Sequence, residues 1–209
     1  MKKSMCITYI VEGALYVNVT NKCSNRCDFC IRNNGDGAYG SDSLWLEREP
    51  SVIEIISSIF SRDLSEFSEL VFCGYGEPSY RLEDIKKVCS EVRKRYPEIK
   101  IRINTNGQSD LILKKDTAPL FESTFDVVSI SLNTPSPNRY NEICHSIYGE
   151  NAFISILNFA KNVKKYVPDV RFSVVGEFLS QEEISECRRI ADECGVRLRV
   201  RDYIAPEEV

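Results

Sequence analysis

LVFCGYGEPSYRLEDIKKVCSEVRKRYPEIKIRI, residues 70–103, decides the fold. It opens on a short apolar run, Leu70-Val71-Phe72-Cys73, followed by a turn from Gly74 to Pro78. Ile85, Val88, Cys89 and Val92 then recur at helical spacing, and Ile99 to Ile103 alternates apolar and charged residues as a strand does. Strand, helix and strand in immediate succession make one parallel crossover unit.

The same unit repeats outward in both directions. Downstream, residues 110–122 read as a weaker helix with Pro119 inside it, and Val127-Val128-Ser129-Ile130 as a strand. Phe153, Ile156, Leu157 and Ala160 mark a helix to about Tyr166, followed by a strand over Val170–Val175. Ser180 and Glu183 form a capping box that opens a helix carrying Ile184, Cys187, Ala191 and Cys194 on one side. Gly195 ends it, and Val196–Ile204 is a last strand. Upstream, Ser51 with Glu54 is another capping box, with Val52, Ile55, Ile56 and Ile59 as the apolar stripe. Residues 5–11 and 14–20 are rich in β-formers around Glu12-Gly13 and read as a hairpin.

The pattern therefore predicts an α/β fold: a partial (β/α)6 TIM-like barrel with parallel strands, preceded by an N-terminal β-hairpin. A flat doubly wound sheet is the alternative. In either case the loops at the C-terminal strand ends carry the chemistry. Residues 1–209 read as one domain, with the hairpin over about 5–20 and a loop over 21–43. Within that loop, residues 33–43 are polar and glycine-rich and read as a mobile segment.

Composition narrows the function. Of the 209 residues, 43% are hydrophobic and 28% charged, as in an ordinary soluble globular protein. A net charge of −4 gives no broad footprint for nucleic acid, and the five basic residues from Lys86 to Arg95 read as a solvated helix face. No run approaches the roughly 20 apolar residues of a membrane helix, and Ser4 and Glu12 interrupt any leader-like stretch, so the expected location is cytoplasmic. Nine cysteines in such a chain do not read as a disulfide framework.

Three of those cysteines fall within eight residues, Cys23-Ser-Asn-Arg-Cys27-Asp-Phe-Cys30, just past the first main strand. Thiolates at i, i+4 and i+7 on one wrapped loop reach three corners of an iron–sulfur cubane, and a missing fourth thiolate leaves one iron open to a substrate. Incidental thiols and a zinc site are the competing readings. Zinc needs a fourth ligand and usually shows paired C-x-x-C spacing.

The motif C-x-x-x-C-x-aromatic-C after a first strand resembles the radical S-adenosylmethionine (radical SAM) superfamily. The resemblance extends from about Leu15 to Tyr203, in the family's order. It implies a [4Fe–4S] cluster on Cys23, Cys27 and Cys30, with S-adenosyl-L-methionine chelating the open iron. It places Phe29 beside the adenine, the alternative being an aromatic packed on the core. Gly74, Tyr75, Gly76, Glu77 and Pro78 resemble the family's Gly-Gly-Glu-Pro element, which contacts the methionyl amino group, with Tyr75 inserted between the glycines. Asn104-Thr-Asn106-Gly107 resembles its Thr-Asn-Gly element, although Asn-Gly is also a common turn pair. Ser131 and Asn133 stand where the family binds ribose, or are strand-end polar groups facing water. Val175 stands where the family contacts adenine. The short chain, the opening hairpin and the Cys-Gly-Tyr-Gly-Glu-Pro variant look most like the TatD-associated radical SAM group.

By this resemblance the protein is an enzyme that reductively cleaves SAM to methionine and a 5′-deoxyadenosyl radical, which abstracts hydrogen from a small molecule or nucleotide. The implied partners are a reductant such as flavodoxin or ferredoxin and, from the subgroup alone, a TatD-family hydrolase. Two other functions stay open: an activating enzyme that places a radical on a partner protein, and a non-catalytic iron–sulfur or zinc protein. No catalytic side chain is assigned beyond these. Cys89, Cys187 and Cys194 read as core thiols, and Cys144 beside His145 as a surface or core residue, with a substrate-side thiol as the alternative.

Overall fold

The structure, a computed structural model, describes residues 2–204. Seven strands form one sheet in strictly sequential order. β1 (Thr8–Val11) and β2 (Ala14–Val17) are the antiparallel hairpin, turning at Glu12 and Gly13 with positive φ at both. From β2 onward every neighbour is parallel: β3 (Leu70–Phe72), β4 (Ile101–Thr105), β5 (Val127–Ser131), β6 (Asp169–Val175) and β7 (Arg197–Arg201).

That order decides between the two architectures the sequence left open. A doubly wound sheet reverses its strand order at a switch point and is covered on both faces. Here the order never reverses, so right-handed crossovers lay every helix on one side. Leu15, Val17, Leu70, Phe72, Ile101, Ile103, Val128, Ile130, Phe172 and Val174 all point into the same helix-covered core. The six parallel strands form an open partial barrel with a free β7 edge.

The helices follow their signals. α1 (Val52–Phe60) and α6 (Gln181–Cys194) each start on a complete capping box, from Ser51 with Glu54 and from Ser180 with Glu183. α2 (Leu82–Arg95) buries Ile85, Val88, Cys89 and Val92. The region read as a single helix over 110–122 is divided. α3 (Ser109–Leu113) stops at Lys114 in the left-handed conformation, and Ala118–Phe121 forms a separate 3-10 turn. Pro119 explains the division, because a residue without an N–H starts a helical turn and cannot continue one. α4 (Pro137–Cys144) has no counterpart in the sequence reading, and α5 (Asn151–Val163) follows it.

The inner face differs in character from the helix side. Strand register places Tyr16, Arg102, Asn104, Ser129, Arg171 and Ser173 there. Polar and charged side chains, with Val71 and Val127 among them, line the concavity. Residues 35–45 fold over its β1–β3 side. The Tyr75 hydroxyl donates to the carbonyls of Gly35 and Gly37, at 2.9 and 2.6 Å, and Ala38 and Leu44 are buried with it. Among the described residues no helix is long and apolar enough to cross a membrane.

Candidate functional site

Cys23, Cys27 and Cys30 occupy the loop that leaves the C-terminal end of β2, at the barrel mouth. The loop has almost no regular structure, so its backbone bonds must be made elsewhere. The end of α4 supplies them. Arg26 and Asp28 donate their N–H groups to the carbonyls of Cys144 and Ile143, at 2.9 and 3.0 Å, and Ile147 donates to Ser24 O at 2.9 Å. His145, the only histidine, lies 2.8 Å from Asp28 through Nε2.

Beneath these contacts lies a buried polar network. Gln108 accepts from the hydroxyls of Ser24 and Ser146, at 2.9 and 3.0 Å, and donates from Nε2 to Asn25 Oδ1 and the Tyr140 hydroxyl, both at 2.9 Å. Asn25 closes the ring by donating to Tyr140 at 2.8 Å, and Asn106 donates to Ser24 at 2.8 Å. A network with its groups paired fixes a loop more firmly than apolar packing does, because each broken bond strands a buried partner.

The thiols have specific surroundings. The Asn25 N–H points at Cys23 Sγ at 3.4 Å, and Arg32 Nε donates to Cys30 Sγ at 3.2 Å. Burial, with Glu77 nearby, pushes the Cys23 thiol up to about 12. Hydrogen bonding to the Cys144 thiol, then burial, raises Cys27 further. Cys144 therefore packs directly against Cys27 of the cysteine loop and is fully buried. Among the described residues no three His, Cys, Asp or Glu side chains converge as ligands of one ion.

Glu77 is buried, at 4% exposure, on the turn after β3. Its carboxylate accepts from Ser79 N–H at 3.0 Å, Thr105 Oγ1 at 2.7 Å and Asn106 N–H at 2.7 Å. Burial raises its pKa, and these donors oppose the rise. A carboxylate has about four lone-pair sites, so one stays open for a further donor. Gly76 beside it is pressed against the cysteine loop: a Cβ there would lie 2.1 Å from Thr20 O and 2.8 Å from Lys22 O. Gly74 abuts Asn18 in the same way, 2.2 Å from Oδ1, and Pro78 opens the next helical turn.

The other sequence-predicted residues are spread around the mouth. Asn106 joins the loop-anchoring network, while Tyr75 secures residues 35 and 37. Phe29 is buried against Phe178, with ring centroids 5.1 Å apart. Ser131 pairs with Ser173 across β5 and β6, and Val175 with Arg201 across β6 and β7. Asn133 has φ +63°, donates to Cys144 Sγ at 3.4 Å and leaves a buried Oδ1 without a partner. An orphaned acceptor beside the cysteine loop and an open lone pair on Glu77 both fit a site that receives a ligand with donor groups.

Sequence reasoning missed the clamp made by Gln108, Tyr140, Ser146 and α4. One local signal for it existed. Ser136-Pro137 is an N-cap followed by an N1 proline, and Ser136 Oγ does cap Arg139 N.

Comparison with known proteins agrees with this geometry. The profile described as Radical SAM superfamily matches residues 17–191. The chain is 26% identical to a probable GTP 3′,8-cyclase of Thermococcus kodakarensis over 93% of its own length and 58% of that protein. It is also 26% identical to molybdenum cofactor biosynthesis protein 1 of Dictyostelium discoideum, over 91% of this chain and 28% of that one. The chain thus spans under two thirds of these relatives. Among solved structures, Streptococcus suis SuiB bound to its precursor peptide SuiA superposes with a TM-score of 0.68 at 20% identity, covering 91% of this chain and 39% of that one. A radical SAM methyltransferase from Sphaerobacter thermophilus superposes at 0.66 and 15% identity, covering 92% and 57%. At such identities the structures show a shared fold.

Proposed function

The chain belongs to the radical SAM superfamily, and we propose that its cluster loop and barrel mouth form the active site of an enzyme acting on a small-molecule or nucleotide substrate. The family's cofactors are a [4Fe–4S] cluster and S-adenosylmethionine, and its members require a reductant and a substrate. Together these cofactors supply one-electron cleavage of the sulfonium and abstraction of a hydrogen atom from the substrate.

The observation that carries the reading is the loop itself: three cysteines at the C-terminal mouth, clamped from below by backbone bonds and a buried network. In this reading Cys23, Cys27 and Cys30 hold the cluster. Glu77 takes the methionyl ammonium on its remaining lone pair, and Gly74, Tyr75, Gly76 and Pro78 shape the turn that presents it. Phe29 lends its main chain to the adenine, while Asn106, Ser131, Asn133 and Val175 line the ribose and adenine side. Covering residues 35–45 restrict water on one flank. The curated relatives named as GTP 3′,8-cyclases favour a nucleotide within the substrate class. A flavodoxin or ferredoxin suits the electron's delivery. The narrower likeness to the TatD-associated group rests on the sequence alone.

The test is anaerobic reconstitution with iron and sulfide, reduction, and assay of 5′-deoxyadenosine. Wild type should produce it, and Cys27→Ala should lose both cluster iron and product. Bound zinc with no cluster, or a cluster with no SAM cleavage under strong reductant, would defeat the reading.

A further inference from the structure

The inner face of the β6–β7 edge changes character along its length. Register sets Arg171 opposite Arg197, Ser173 opposite Arg199 and Val175 opposite Arg201. At the N-terminal end of these strands the cations are neutralised. Asp169 accepts from Arg171 at 3.0 Å and from Arg197 at 2.9 Å. At the C-terminal end, level with the cluster loop, Arg199 is exposed and Arg201 half-buried, and neither has an ion-pair partner among the described residues. Burial lowers the Arg201 pKa, and the nearby groups that act on its charge are Cys73, Tyr39, Arg199 and Cys27. Arg201 stands at the C-terminal end of β7 on the inner face, and the residues that follow it dock on the cysteine loop, where Asn34 Nδ2 donates to Ile204 O at 2.8 Å and to the Tyr203 hydroxyl at 3.1 Å.

Removing a guanidinium from water without a counter-charge is unfavourable, and a second cation on the same strand adds repulsion. Such an arrangement is kept where an anion completes it. Guanidinium geometry matches a carboxylate or a phosphate through paired N–H donors. We propose that Arg201, with Arg199 beside it, is the subsite for an anionic group of the substrate, a phosphate or a carboxylate. The subsite holds the substrate against the β7 edge with its reactive part toward Cys27. The inference deepens the function proposed above and rests on it for the identity of the chemistry, though not for anion binding.

The test is calorimetric titration of the reconstituted, SAM-loaded protein with inorganic pyrophosphate and, separately, with malonate. Saturable binding of one probe is expected. Pyrophosphate binding assigns a phosphate, and malonate binding a carboxylate. Arg201→Gln should weaken it by about tenfold or more, Arg199→Gln by about threefold, and Arg201→Lys, which keeps the charge but not the fork, by an intermediate factor. SAM affinity, titrated in parallel, should stay within about twofold of wild type. No saturable binding of either probe below about 10 mM, or binding undiminished in Arg201→Gln and Arg199→Gln, overturns the proposal. So does a loss confined to SAM affinity, which would assign the arginines to the cofactor's own carboxylate. Should Arg201→Gln fail to fold, Arg201→Lys and Arg199→Gln decide. Arginine-dependent anion binding without SAM cleavage would defeat the radical reading alone, and cleavage without such binding would defeat the subsite alone.

Discussion

The wall built from β2, β3 and β4 and the edge built from β6 and β7 carry the same residue types and use them differently. On the wall, Arg102 is held by Glu69 at 2.6 Å, by the Tyr16 hydroxyl and by Asn104 Oδ1. Gly76 presses its backbone onto Thr20 and Lys22, and Glu77 takes three donors from its own chain. On the edge, Arg199 and Arg201 have no ion-pair partner among the described residues, and a Cβ added at Gly176 would meet, among those residues, Val200 Cγ1 at 3.1 Å and Arg201 O at 3.8 Å. The wall's charges are paired or hydrogen-bonded within the chain before any ligand arrives. The edge leaves its two outer arginines unmatched among the described residues and meets an added Cβ with a side chain instead of backbone. Preorganisation on one side and openness on the other fit the proposed division between a fixed cofactor and a substrate bound at the edge.

The comparison is broken most directly at the wall's arginine. Arg102→Met removes the cation from a side-chain pair only 10% and 22% exposed and strands Glu69. The expected loss is about 3 kcal/mol, at the low end for a broken buried pair because Glu69 keeps some water. Urea unfolding measures it, and a loss under about 1 kcal/mol would show the wall to be no tighter than a surface. Next comes Gly76→Ala. Its Cβ would meet two backbone carbonyls that cannot swing away, so the cysteine loop must shift. We expect a loss of about 2 kcal/mol together with reduced iron and sulfide after reconstitution. Full cluster loading would mean that the loop tolerates movement at its root.

How far each region could be read from sequence follows the same division. The wall's chemistry sits in short contiguous motifs. Cys23 to Cys30 and Gly74 to Pro78 each lie at one strand end, so alternation of strand and helix was enough to place them. The parallel sheet was equally legible, because the strand–helix pattern repeats, whereas the strand order that separates an open barrel from a doubly wound sheet came only with the structure. The clamp was not. Gln108 and Ser24 are 84 positions apart and Asn25 and Tyr140 are 115, and polar residues at such separations look like solvated surface until the fold joins them. Cys144 was open between surface and core, and folding buries it against Cys27. The edge arginines lie at every second position of β7, a pattern that periodicity assigns to one face. Only the register shows that this face is the barrel's interior.

The edge has its own counterparts to both substitutions. Gly176→Ala mirrors Gly76→Ala, but its new Cβ would touch a valine side chain that is 39% exposed and free to turn. The small push is offset by the lower entropy of the unfolded chain, and the net change should stay within about 0.5 kcal/mol of zero. Thermal unfolding is a sufficient check. A loss comparable to that of Gly76→Ala would show that the free edge is braced as rigidly as the wall.

Arg197→Gln mirrors Arg102→Met and should have the smallest effect of the four. Its side chain is 77% exposed, and the 2.9 Å contact to Asp169 is shared, since Arg171 holds the other carboxylate oxygen at 3.0 Å. Removing it therefore leaves no stranded buried charge, and the screened pair contributes about 0.5 kcal/mol or less. The urea midpoint should move slightly with an unchanged slope. A cost near 2 kcal/mol would instead mean that Asp169 binds both arginines as one desolvated unit. The foot of the edge would then be as closed as the wall, and openness would be confined to Arg199 and Arg201 at the mouth, where the anion is expected to bind.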